Sequence, residues 1–228
     1  MVIRTLDILL SLVALLVLSP LLIPVVFLLR TTGEGEVFYR QKRIGRGGKE
    51  FGLIKFATML KNSPDIGSGT LTIKDDPRIL PVGKFLRKSK INELPQLLNI
   101  LIGDMSVIGP RPMTEQTFSA YTVASQEAIK SVRPGLSGVG SIIFRGEEDM
   151  LGGMTDPALF YQQEIGPYKG TLEEWYVDKA SVYLYVLLIC LTVWVVLVPK
   201  SKLAWILFRD LPTPNETVSV SLGLTPPN

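Results

Sequence analysis

Apolar residues are concentrated near the two ends of the chain, and the middle reads as an ordinary water-soluble domain. The first apolar run covers residues 8–29, where the only other residues are Ser11, Ser19, Pro20 and Pro24. A run of about 20 apolar residues is long enough to cross a bilayer as a helix. A cleaved signal peptide fits poorly, because the run is long and no small-x-small cleavage site follows it. The pattern therefore predicts an N-terminal membrane helix.

Ser19 and Pro20 lie near the middle of this helix. A proline inside a helix removes one backbone hydrogen bond and crowds the preceding turn, so we expect a kink there. The neighbouring hydroxyl can bond a freed backbone group inside lipid. Two placements fit these residues: a kinked helix that spans the bilayer, or a helix that bends and returns to the same face.

The second apolar run covers residues 180–198, ends at Pro199 and is followed by basic residues. Basic residues also outnumber acidic ones between residues 30 and 55, which predicts a cytoplasmic central domain. A second span would place the later basic residues outside, against the same rule. We therefore favour an interfacial helix over a second span, with these aromatic residues near headgroup level: Trp175, Tyr176, Trp194 and Trp205.

Between the two runs, residues 37–39 and 51–56 have the composition of short strands, and the turn RIGRGGKE separates them. A hairpin turn is the favoured interpretation, and a phosphate-wrapping loop is the alternative. No GK[ST] follows the glycines, so the turn is not a P-loop. The stretch KNSPDIGSGT is predicted to be a loop.

A charged stretch follows, in which Asp75, Asp76 and Arg78 precede a basic group. It predicts either a solvated face or a face that binds a diphosphate through its cations. The basic group consists of Lys84, Arg87, Lys88 and Lys90.

The segment SKINELPQLLNILIGDMSVIGPRP carries the strongest candidate chemistry. Pro95 predicts a helix that begins at residues 92–94, and Gly103 predicts its end. Asn92 and Glu93 would then lie at a helix N-terminus, which favours anions. The alternatives are that Asn92 is only an N-cap and Glu93 a first-turn acid. Arg111 lies between two prolines that restrict its backbone, as suits a fixed phosphate clamp. The sequence VRPGLSGVG predicts another tight corner.

Composition narrows the chemistry. The chain has 228 residues and no histidine, which excludes Ser-His-Asp hydrolysis and His-ligated zinc. Its one cysteine, Cys190, lies in the second apolar run, so disulfides and cysteine metal sites are excluded as well. The net charge of +3 is too small for a protein that coats nucleic acid. Catalysis would have to use carboxylates, cations, hydroxyls, amides or a hard metal ion such as Mg²⁺.

The chain resembles the small monotopic phosphoglycosyl transferases among the bacterial sugar transferases. The resemblance lies in the helix broken at Ser19 and Pro20, and in four later segments that keep a consistent order over roughly residues 1–140. These are VFYRQKRIGRGGKEFGLIKFATM, KDDPRILPVGKFLRKSK, NELPQLLNILIGDMSVIGPRP and VRPGLSG. Together they are highly specific, whereas residues 141–228 match only loosely.

The resemblance implies transfer of a phospho-sugar from a UDP-sugar to a polyprenol phosphate at the cytoplasmic membrane face. Such enzymes are held in one leaflet by a re-entrant helix and need Mg²⁺. In them an Asp-Glu pair opens the helix that corresponds to NELPQ. The aspartate attacks the β-phosphate, UMP leaves, and the lipid phosphate then attacks the phospho-sugar enzyme.

This sequence departs from the family pattern at two positions. Asn92 stands where the aspartate is expected, and Ala57 stands where the family has an arginine. Because an amide is a poor nucleophile, three interpretations follow. Glu93 is the nucleophile, or it is the base for direct attack by the lipid phosphate. Alternatively, Asp75 or Asp76 substitutes, or the protein is catalytically weak and serves as a binding or assembly module.

We expect an α+β, membrane-associated enzyme of the bacterial inner membrane with its catalytic domain facing the cytoplasm. A homo-oligomer is one assembly that we consider. The predicted regions are an N-terminal membrane helix (1–30), a catalytic domain (31–178), a C-terminal membrane-associated region (179–210) and a flexible tail (211–228). The expected catalytic residues are Glu93, which is also the Mg²⁺ ligand, Asn92 and Arg87. The expected substrate-binding residues are Arg111, Lys55, Arg78 and Asp76.

Overall fold

The computed structural model describes residues 1–63, 76–152, 154–199 and 201–224. Most of the predicted KNSPDIGSGT loop, Asp75 and Lys200 lie outside these described residues. The predicted mixture of helices and strands is confirmed. The strands are β1 (Phe38–Ile44), β2 (Glu50–Phe56), β3 (Ser106–Ile108) and β4 (Gly135–Ser137).

Helices dominate the structure. The longer ones are α1 (Val2–Thr31), α2 (Pro81–Lys88), α5 (Val123–Ser131), α9 (Gly166–Asp178) and α10 (Val182–Leu197). The shorter ones are α3 (Gln96–Ile102), α4 (Glu115–Phe118), α6 (Val139–Ile143), α7 (Glu147–Gly152), α8 (Pro157–Phe160), α11 (Leu203–Leu207) and α12 (Glu216–Ser221).

Helix α1 continues through both of its prolines. Pro20 has no N–H to donate to the carbonyl of Leu16, and the Ser19 hydroxyl donates to that oxygen instead, at 2.8 Å. The predicted role of the hydroxyl is confirmed. Among the described residues, α1 alone is long and apolar enough to cross a membrane by length and composition.

One side of α1 packs against the rest of the protein along its whole length. Near its start, Arg4 donates to the carbonyls of Ile100 and Leu101 at the end of α3. Its middle packs against the cluster of Leu53, Leu97, Ile100 and Met105, and near its end Val25 and Leu29 pack against Phe56 and Leu86. The opposite side is exposed and apolar, with Leu16, Val17, Ile23 and Phe27 at 69–73% exposure.

Asp7 joins three elements that are distant in sequence. Its side chain is only 1% exposed, and its Oδ1 atom accepts hydrogen bonds at 2.8 Å from the Ser106 hydroxyl, the Val107 N–H and the Tyr185 hydroxyl. These bonds tie α1 to β3 and α10. A buried carboxylate needs such donors, because burying it without partners is costly.

The strands β1 and β2 form an antiparallel hairpin, with Phe38 opposite Phe56 and Ile44 opposite Glu50. A 3-10 turn, Arg46–Gly48, joins them, and Gly47 and Gly48 both have φ above +70°. Glycine adopts this left-handed backbone without steric cost. The hairpin interpretation of RIGRGGKE is therefore confirmed.

The strands β3 and β4 form a short parallel pair, with Ser106 opposite Gly135 and Ile108 opposite Ser137. VRPGLSGVG is thus more than the predicted corner, since it supplies β4 and the start of α6. Its backbone lies so close to Gly109 that a Cβ atom at Gly135 or Gly138 would overlap backbone atoms of that residue. Glycine is required there because the two segments touch.

Helix α10 has one face in the main hydrophobic core, where Leu184, Tyr185, Leu188, Leu191 and Val195 are at most 5% exposed. This core also holds Trp175 and Tyr176, so their predicted position at headgroup level is wrong. Each side chain finds an internal partner for its polar atom: Trp175 donates to Asp210, and Tyr176 donates to the carbonyl of Ile108. Trp194, by contrast, is 44% exposed.

Residues 211–224 are folded, and the prediction of a flexible tail is wrong for them. Asn215 caps α12 through its side chain and donates to Glu164, while Val218 of α12 is fully buried in the main core. The carbonyl of Pro212 accepts a hydrogen bond from the Tyr168 hydroxyl at 2.7 Å.

Candidate functional site

Asn92 and Glu93 lie in a single 3-10 turn, Ile91–Glu93, that precedes α3. The α-helix begins only at Gln96, so the predicted start at residues 92–94 is wrong. Pro95 has no N–H, which interrupts a continuous helical ladder from Ile91 into α3. Within the described residues, neither the turn nor α3 has a side-chain capping bond, so the interpretation of Asn92 as an N-cap is also wrong.

The Glu93 carboxylate is held by two cations from other parts of the chain. Its Oε1 atom lies 2.9 Å from Nη2 of Arg111 and 3.8 Å from Nζ of Lys55. Lys55 comes from β2, and Arg111 follows β3 in the Gly-Pro-Arg-Pro corner. The side chains of Glu93 and Lys55 are 15% and 17% exposed, and that of Arg111 is 40% exposed. The structure therefore brings together three residues predicted from sequence.

The electrostatics around Glu93 keep it ionised. Burial alone would raise the pKa of Glu93, but the positive charges of Arg111 and Lys55 outweigh that effect and hold the pKa well below its usual value. A general base works best when its pKa lies near the working pH. This environment disfavours Glu93 as a base and is compatible with a nucleophile or a metal ligand.

Lys55 has the opposite perturbation. Burial lowers the pKa of Lys55 to about 7, although the neighbouring Glu93 carboxylate acts to raise it. Arg111 and Arg43 add to the lowering, because they are like charges. Lys55 therefore changes charge near neutral pH.

A cavity of about 380 Å³, which we call cavity A, opens beside the hairpin and reaches Asn92. Its lining includes two acids, Glu34 and Glu36, and three aromatic residues, Phe38, Tyr39 and Phe56. Its basic side chains are Arg40, Arg43, Lys55, Lys61 and Arg87.

A second cavity of about 370 Å³, which we call cavity B, reaches Glu93, the residue next to Asn92. Apolar residues make up about half of its lining, and most of them come from β3, β4, α6 and α10. Its charged side chains are Lys90, Glu93, Arg111, Arg145, Glu147 and Lys169. Because Lys55 lines cavity A and pairs with Glu93, these two side chains connect the cavities.

Asn92 is 5% exposed, and its Oδ1 atom is buried without a hydrogen-bond partner among the described residues. A buried carbonyl oxygen without a partner costs about 1–3 kcal/mol, so its presence calls for an explanation. Asn92 also lines cavity A. Its amide is therefore placed to meet a bound molecule.

The residues of the charged stretch 75–90 lie in different places in the structure. Asp76 and Arg78 are 1% and 4% exposed and form an ion pair with each other at 2.5 Å, and neither lines cavity A or B. The structure thus does not bring these two predicted substrate-binding residues to the Asn92–Glu93 turn. Of the basic group, Arg87 lines cavity A, Lys90 lines cavity B, and Lys84 and Lys88 are exposed.

Two parts of the site were missed by the sequence analysis. Arg43 lines cavity A, and its guanidinium donates to the carbonyl of Pro112 at 3.1 Å. Burial, with the charge of Arg111, lowers the pKa of Arg43 to about 10. The other missed part is the wall of cavity B contributed by α10, whose mostly apolar sequence does not indicate which residues face a ligand.

A Mg²⁺ site has little support from protein carboxylates alone. Among the described residues, no group of three or more Asp, Glu, Cys or His side chains could hold a metal ion. Mg²⁺ in phosphoryl-transfer sites is commonly held by one or two carboxylates together with substrate phosphates. Glu93 fits that arrangement, since both of its ion pairs use Oε1. The site fits Mg²⁺ only as an ion shared with a bound diphosphate.

Comparison with known proteins gives the family. The family described as "Bacterial sugar transferase" matches residues 1–199. An exopolysaccharide production protein, ExoY, of Sinorhizobium fredii is 38% identical over 158 residues, which cover 63% of this chain and 70% of that protein. The undecaprenyl-phosphate galactose phosphotransferase of Salmonella typhimurium is 35% identical over 160 residues, covering 64% of this chain and 33% of that protein.

A UDP-glucose:undecaprenyl-phosphate glucose-1-phosphate transferase of Klebsiella pneumoniae is 38% identical over 150 residues, which cover 64% of this chain and 32% of that protein. The chain thus spans about a third of the longer relatives and most of the shorter one. The family match includes both apolar helices and the Asn92–Glu93 turn. The sequence-based assignment is confirmed, and the chain belongs to the bacterial sugar transferase family.

Proposed function

We propose that this protein is a membrane-bound phosphoglycosyl transferase that moves a sugar-1-phosphate from a UDP-sugar to a polyprenol phosphate and releases UMP. The product would begin the synthesis of a lipid-linked glycan or surface polysaccharide. The observation that carries the proposal is the pair of basic cavities reached by adjacent residues, Asn92 and Glu93. The names of the relatives, which join sugar phosphates to undecaprenyl phosphate, support the same chemistry.

Cavity A suits the nucleotide sugar. The diphosphate carries negative charge, and Arg43, Lys55 and Arg87 offer cations beside Asn92. Phe38 and Tyr39 are 48% and 39% exposed on the same cavity and offer faces for a pyrimidine base. The NH2 group of the Asn92 amide would donate to a phosphate oxygen, whereas its unpartnered Oδ1 atom can only accept and would meet a donor such as a sugar hydroxyl.

The transfer that we favour is direct. An oxygen of the polyprenol phosphate attacks the β-phosphorus of the UDP-sugar, and the bond from that phosphorus to the oxygen bridging the α-phosphate breaks. The bond electrons leave with UMP, and the product is a polyprenyl diphosphate carrying the sugar. A lipid phosphate is already an anion, so the attack needs no general base. The low pKa of Glu93 therefore presents no obstacle.

Lys55 and Arg111 carry the electrostatic part of this mechanism. Phosphoryl transfer is catalysed mainly by positioning and by charge placed around the transferred group. Glu93 holds both cations through a single oxygen, so they converge on the boundary between the cavities. When bound, Mg²⁺ would neutralise diphosphate charge. Glu93 is the protein residue that we propose as its ligand.

Kinetics separate direct transfer from a covalent route. In the covalent route, the Glu93 carboxylate attacks the β-phosphorus, UMP leaves, and the lipid phosphate then displaces the carboxylate. Direct transfer predicts sequential kinetics and no UMP release from UDP-sugar alone. Ping-pong kinetics, together with a phospho-sugar adduct located on the peptide containing Glu93 by mass spectrometry, would contradict direct transfer.

We also propose that the protein is held at one face of the bacterial inner membrane, with its catalytic domain in the cytoplasm. Helix α1 is about 45 Å long at 1.5 Å per residue, whereas the bilayer core is about 30 Å thick. Both Arg4 and Leu29 contact the same domain. A straight span would carry one of these ends to the other side, so α1 is better placed within one leaflet, as in the re-entrant interpretation.

Labelling of single cysteines tests this placement. With Cys190 replaced by serine, a cysteine at Val2 and one at Gly33 should both react with an impermeant reagent only in inside-out vesicles. Reaction of one of the two from the opposite side would show that α1 spans the membrane. A cysteine at the exposed Lys84 serves as the marker for the side of the catalytic domain.

The activity itself is tested by UMP release from UDP-sugars with polyprenol phosphate, with and without Mg²⁺. We expect release that requires the lipid and is lost with a chelator. The second candidate is a non-catalytic binding module, and Asn92 in the family's nucleophile position is the observation that favours it. Absence of UMP release from the wild type, with release restored by Asn92→Asp, would establish this second candidate.

A further inference from the structure

Cavity B opens onto an apolar surface of the protein. Val193 and Val196 of α10 line the cavity, yet they are 56% and 52% exposed. Trp194 and Leu197 on the same helix are 44% and 73% exposed. A cavity whose wall is also an exposed apolar surface allows a long hydrocarbon chain to enter while the rest of that chain stays in lipid.

The charged residues of cavity B suit a phosphate monoester. Four basic and two acidic side chains line it, which leaves an excess of two positive charges. Lys169 and Glu147 already pair at 2.5 Å, and Glu93 is paired with Arg111. A phosphate monoester carries about −1.5 to −2 charge at neutral pH, which matches this excess.

A hydrogen-bonding group is also present. The Ser141 hydroxyl lines cavity B, and its oxygen is buried without a hydrogen-bond partner within the described residues. A buried hydroxyl normally finds a partner, so a ligand oxygen would satisfy it. Charge, a hydroxyl and an apolar exit thus occur in one cavity.

From these features we infer that cavity B is the site of the lipid acceptor. The phosphate lies among Lys90, Arg111 and Arg145, and the first isoprene units lie against Val193 and Val196 of α10. The inference rests on the proposed transferase function and adds to it a binding site and a role for the C-terminal helix. It also separates the two substrates, because cavity A has the more polar lining.

The test fills the apolar exit of cavity B. Val196→Trp places a large ring where we expect the isoprene units, and Val186→Trp is the matched control. Val186 lies on the same helix, is 47% exposed and lines neither cavity. We expect Val196→Trp to raise KM for polyprenol phosphate by about tenfold or more, which corresponds to about 1.4 kcal/mol, while KM for the UDP-sugar changes by less than about twofold.

The control separates blocking from altered membrane binding. Val186→Trp should leave both KM values unchanged, and both variants should show the wild-type melting temperature. An increase in KM for the UDP-sugar with Val196→Trp would place the donor in cavity B and overturn the inference. Equal effects of the two variants, or no effect of either, would overturn it as well.

Photolabelling locates the bound lipid without depending on turnover, so it tests the lipid site separately from the proposed activity. A photoreactive polyprenyl phosphate should label the peptide containing residues 189–196 in the full-length wild type and in Val186→Trp, but much less in Val196→Trp. Undecaprenyl phosphate should compete, whereas undecaprenol and inorganic phosphate should not. Labelling without UMP release would retain the lipid site and refute the transferase. Turnover with labelling elsewhere, or competition by inorganic phosphate alone, would refute the lipid site.

Discussion

Cavity A is built from residues that are close in sequence, whereas cavity B is assembled from distant ones. Cavity A is lined by the hairpin, the residues just before and after it, Leu80, Arg87 of α2 and Asn92. Cavity B combines the Lys90–Leu94 region with residues from β3, β4, α6, α9 and α10. The two volumes are similar, at about 380 and 370 Å³, but their linings differ. The more polar cavity is lined by residues 34–92 alone, whereas the more apolar cavity needs segments from residues 90–196.

Asn92 and Glu93 show how one turn serves both cavities. They are adjacent in the chain, yet Asn92 lines cavity A and Glu93 lines cavity B. The neutral amide lies on the side that we assign to the donor, and the carboxylate lies on the side that we assign to the acceptor. The pair therefore marks the boundary at which the phosphorus would be transferred.

The largest expected effect comes from breaking the link between the cavities. Glu93→Gln removes the charge that holds Lys55 and Arg111 together and the proposed Mg²⁺ ligand. We expect kcat to fall by about 100- to 1,000-fold, in the range found when electrostatic stabilisation of a transition state is removed. The measurement is the steady-state rate of UMP release. Glu50→Gln, an exposed acid paired with Lys42, is the control and should retain activity.

Equal rates for the wild type and Glu93→Gln would remove Glu93 from the mechanism. The Lys55–Glu93 pair would then connect the two cavities in space without contributing to the rate.

A second pair of variants tests whether the cavities hold different substrates. The two variants are Arg87→Gln and Arg145→Gln, because Arg87 lines cavity A and Arg145 lines cavity B. We expect the first to raise KM for the UDP-sugar and the second to raise KM for the lipid, each by about tenfold, as for the loss of one charge-assisted bond. Steady-state kinetics with one substrate varied at a time gives both values. A change in the same KM for both variants would merge the cavities into one site.

The pH dependence of the donor step tests cavity A alone. Because the pKa of Lys55 is lowered to about 7, its positive charge is present below that pH and is lost as the pH rises through it. We expect kcat/KM for the UDP-sugar to fall by about tenfold between pH 6 and 9, since kcat/KM reports the pKa values of the free enzyme. Lys55→Arg should remove this decline.

Lys61→Arg is the control for that experiment, because Lys61 lines the same cavity but is 73% exposed. Its profile should match that of the wild type. A decline that persists unchanged in Lys55→Arg would assign the titration to another group.

The smallest expected effect is a change in stability at Glu173, a buried acid next to Lys169 of cavity B. Glu173 is 2% exposed next to Lys169, and burial raises the pKa of Glu173 to about 7, although the charge of Lys169 and the Gly140 N–H lower it. The folded state therefore keeps a proton that the unfolded state releases at lower pH. Stability falls as the pH rises from about 4.5 to about 7, and the full cost is present above pH 7.

Glu173→Gln removes this cost. We expect its melting temperature in detergent to exceed that of the wild type by about 5 °C at pH 8 and by about 1 °C or less at pH 5, which reflects on the order of 2 kcal/mol. Glu127→Gln, which replaces an exposed acid, should show no such pH dependence. A difference of the same size at both pH values would point to packing rather than to charge.

Local chemistry in the sequence predicted much of this structure. The hairpin and the Ser19 hydrogen bond within α1 follow from short motifs. Lys55, Glu93 and Arg111, which were assigned to one site with the help of the family resemblance, converge in the structure. The start of α3 was misplaced because Pro95 interrupts the helical hydrogen bonds. Trp175 was assigned to the membrane surface because its partner, Asp210, is 35 residues away and gives no local signal. The wall of cavity B was missed because α10 is mostly apolar, so its sequence does not distinguish the residues that line the cavity from the others.

The carboxylate of Asp7 has a consequence for the order in which the protein is made. Its three hydrogen-bond donors come from Ser106, Val107 and Tyr185. The Asp7 carboxylate therefore lacks one of its donors until α10 has left the ribosome. Helix α1 is synthesised long before that moment. Assembly of the active site is thus coupled to synthesis of α10. Removal of residues 1–31 would expose the two hydrophobic clusters against which α1 packs, so the truncated chain would not be a soluble enzyme.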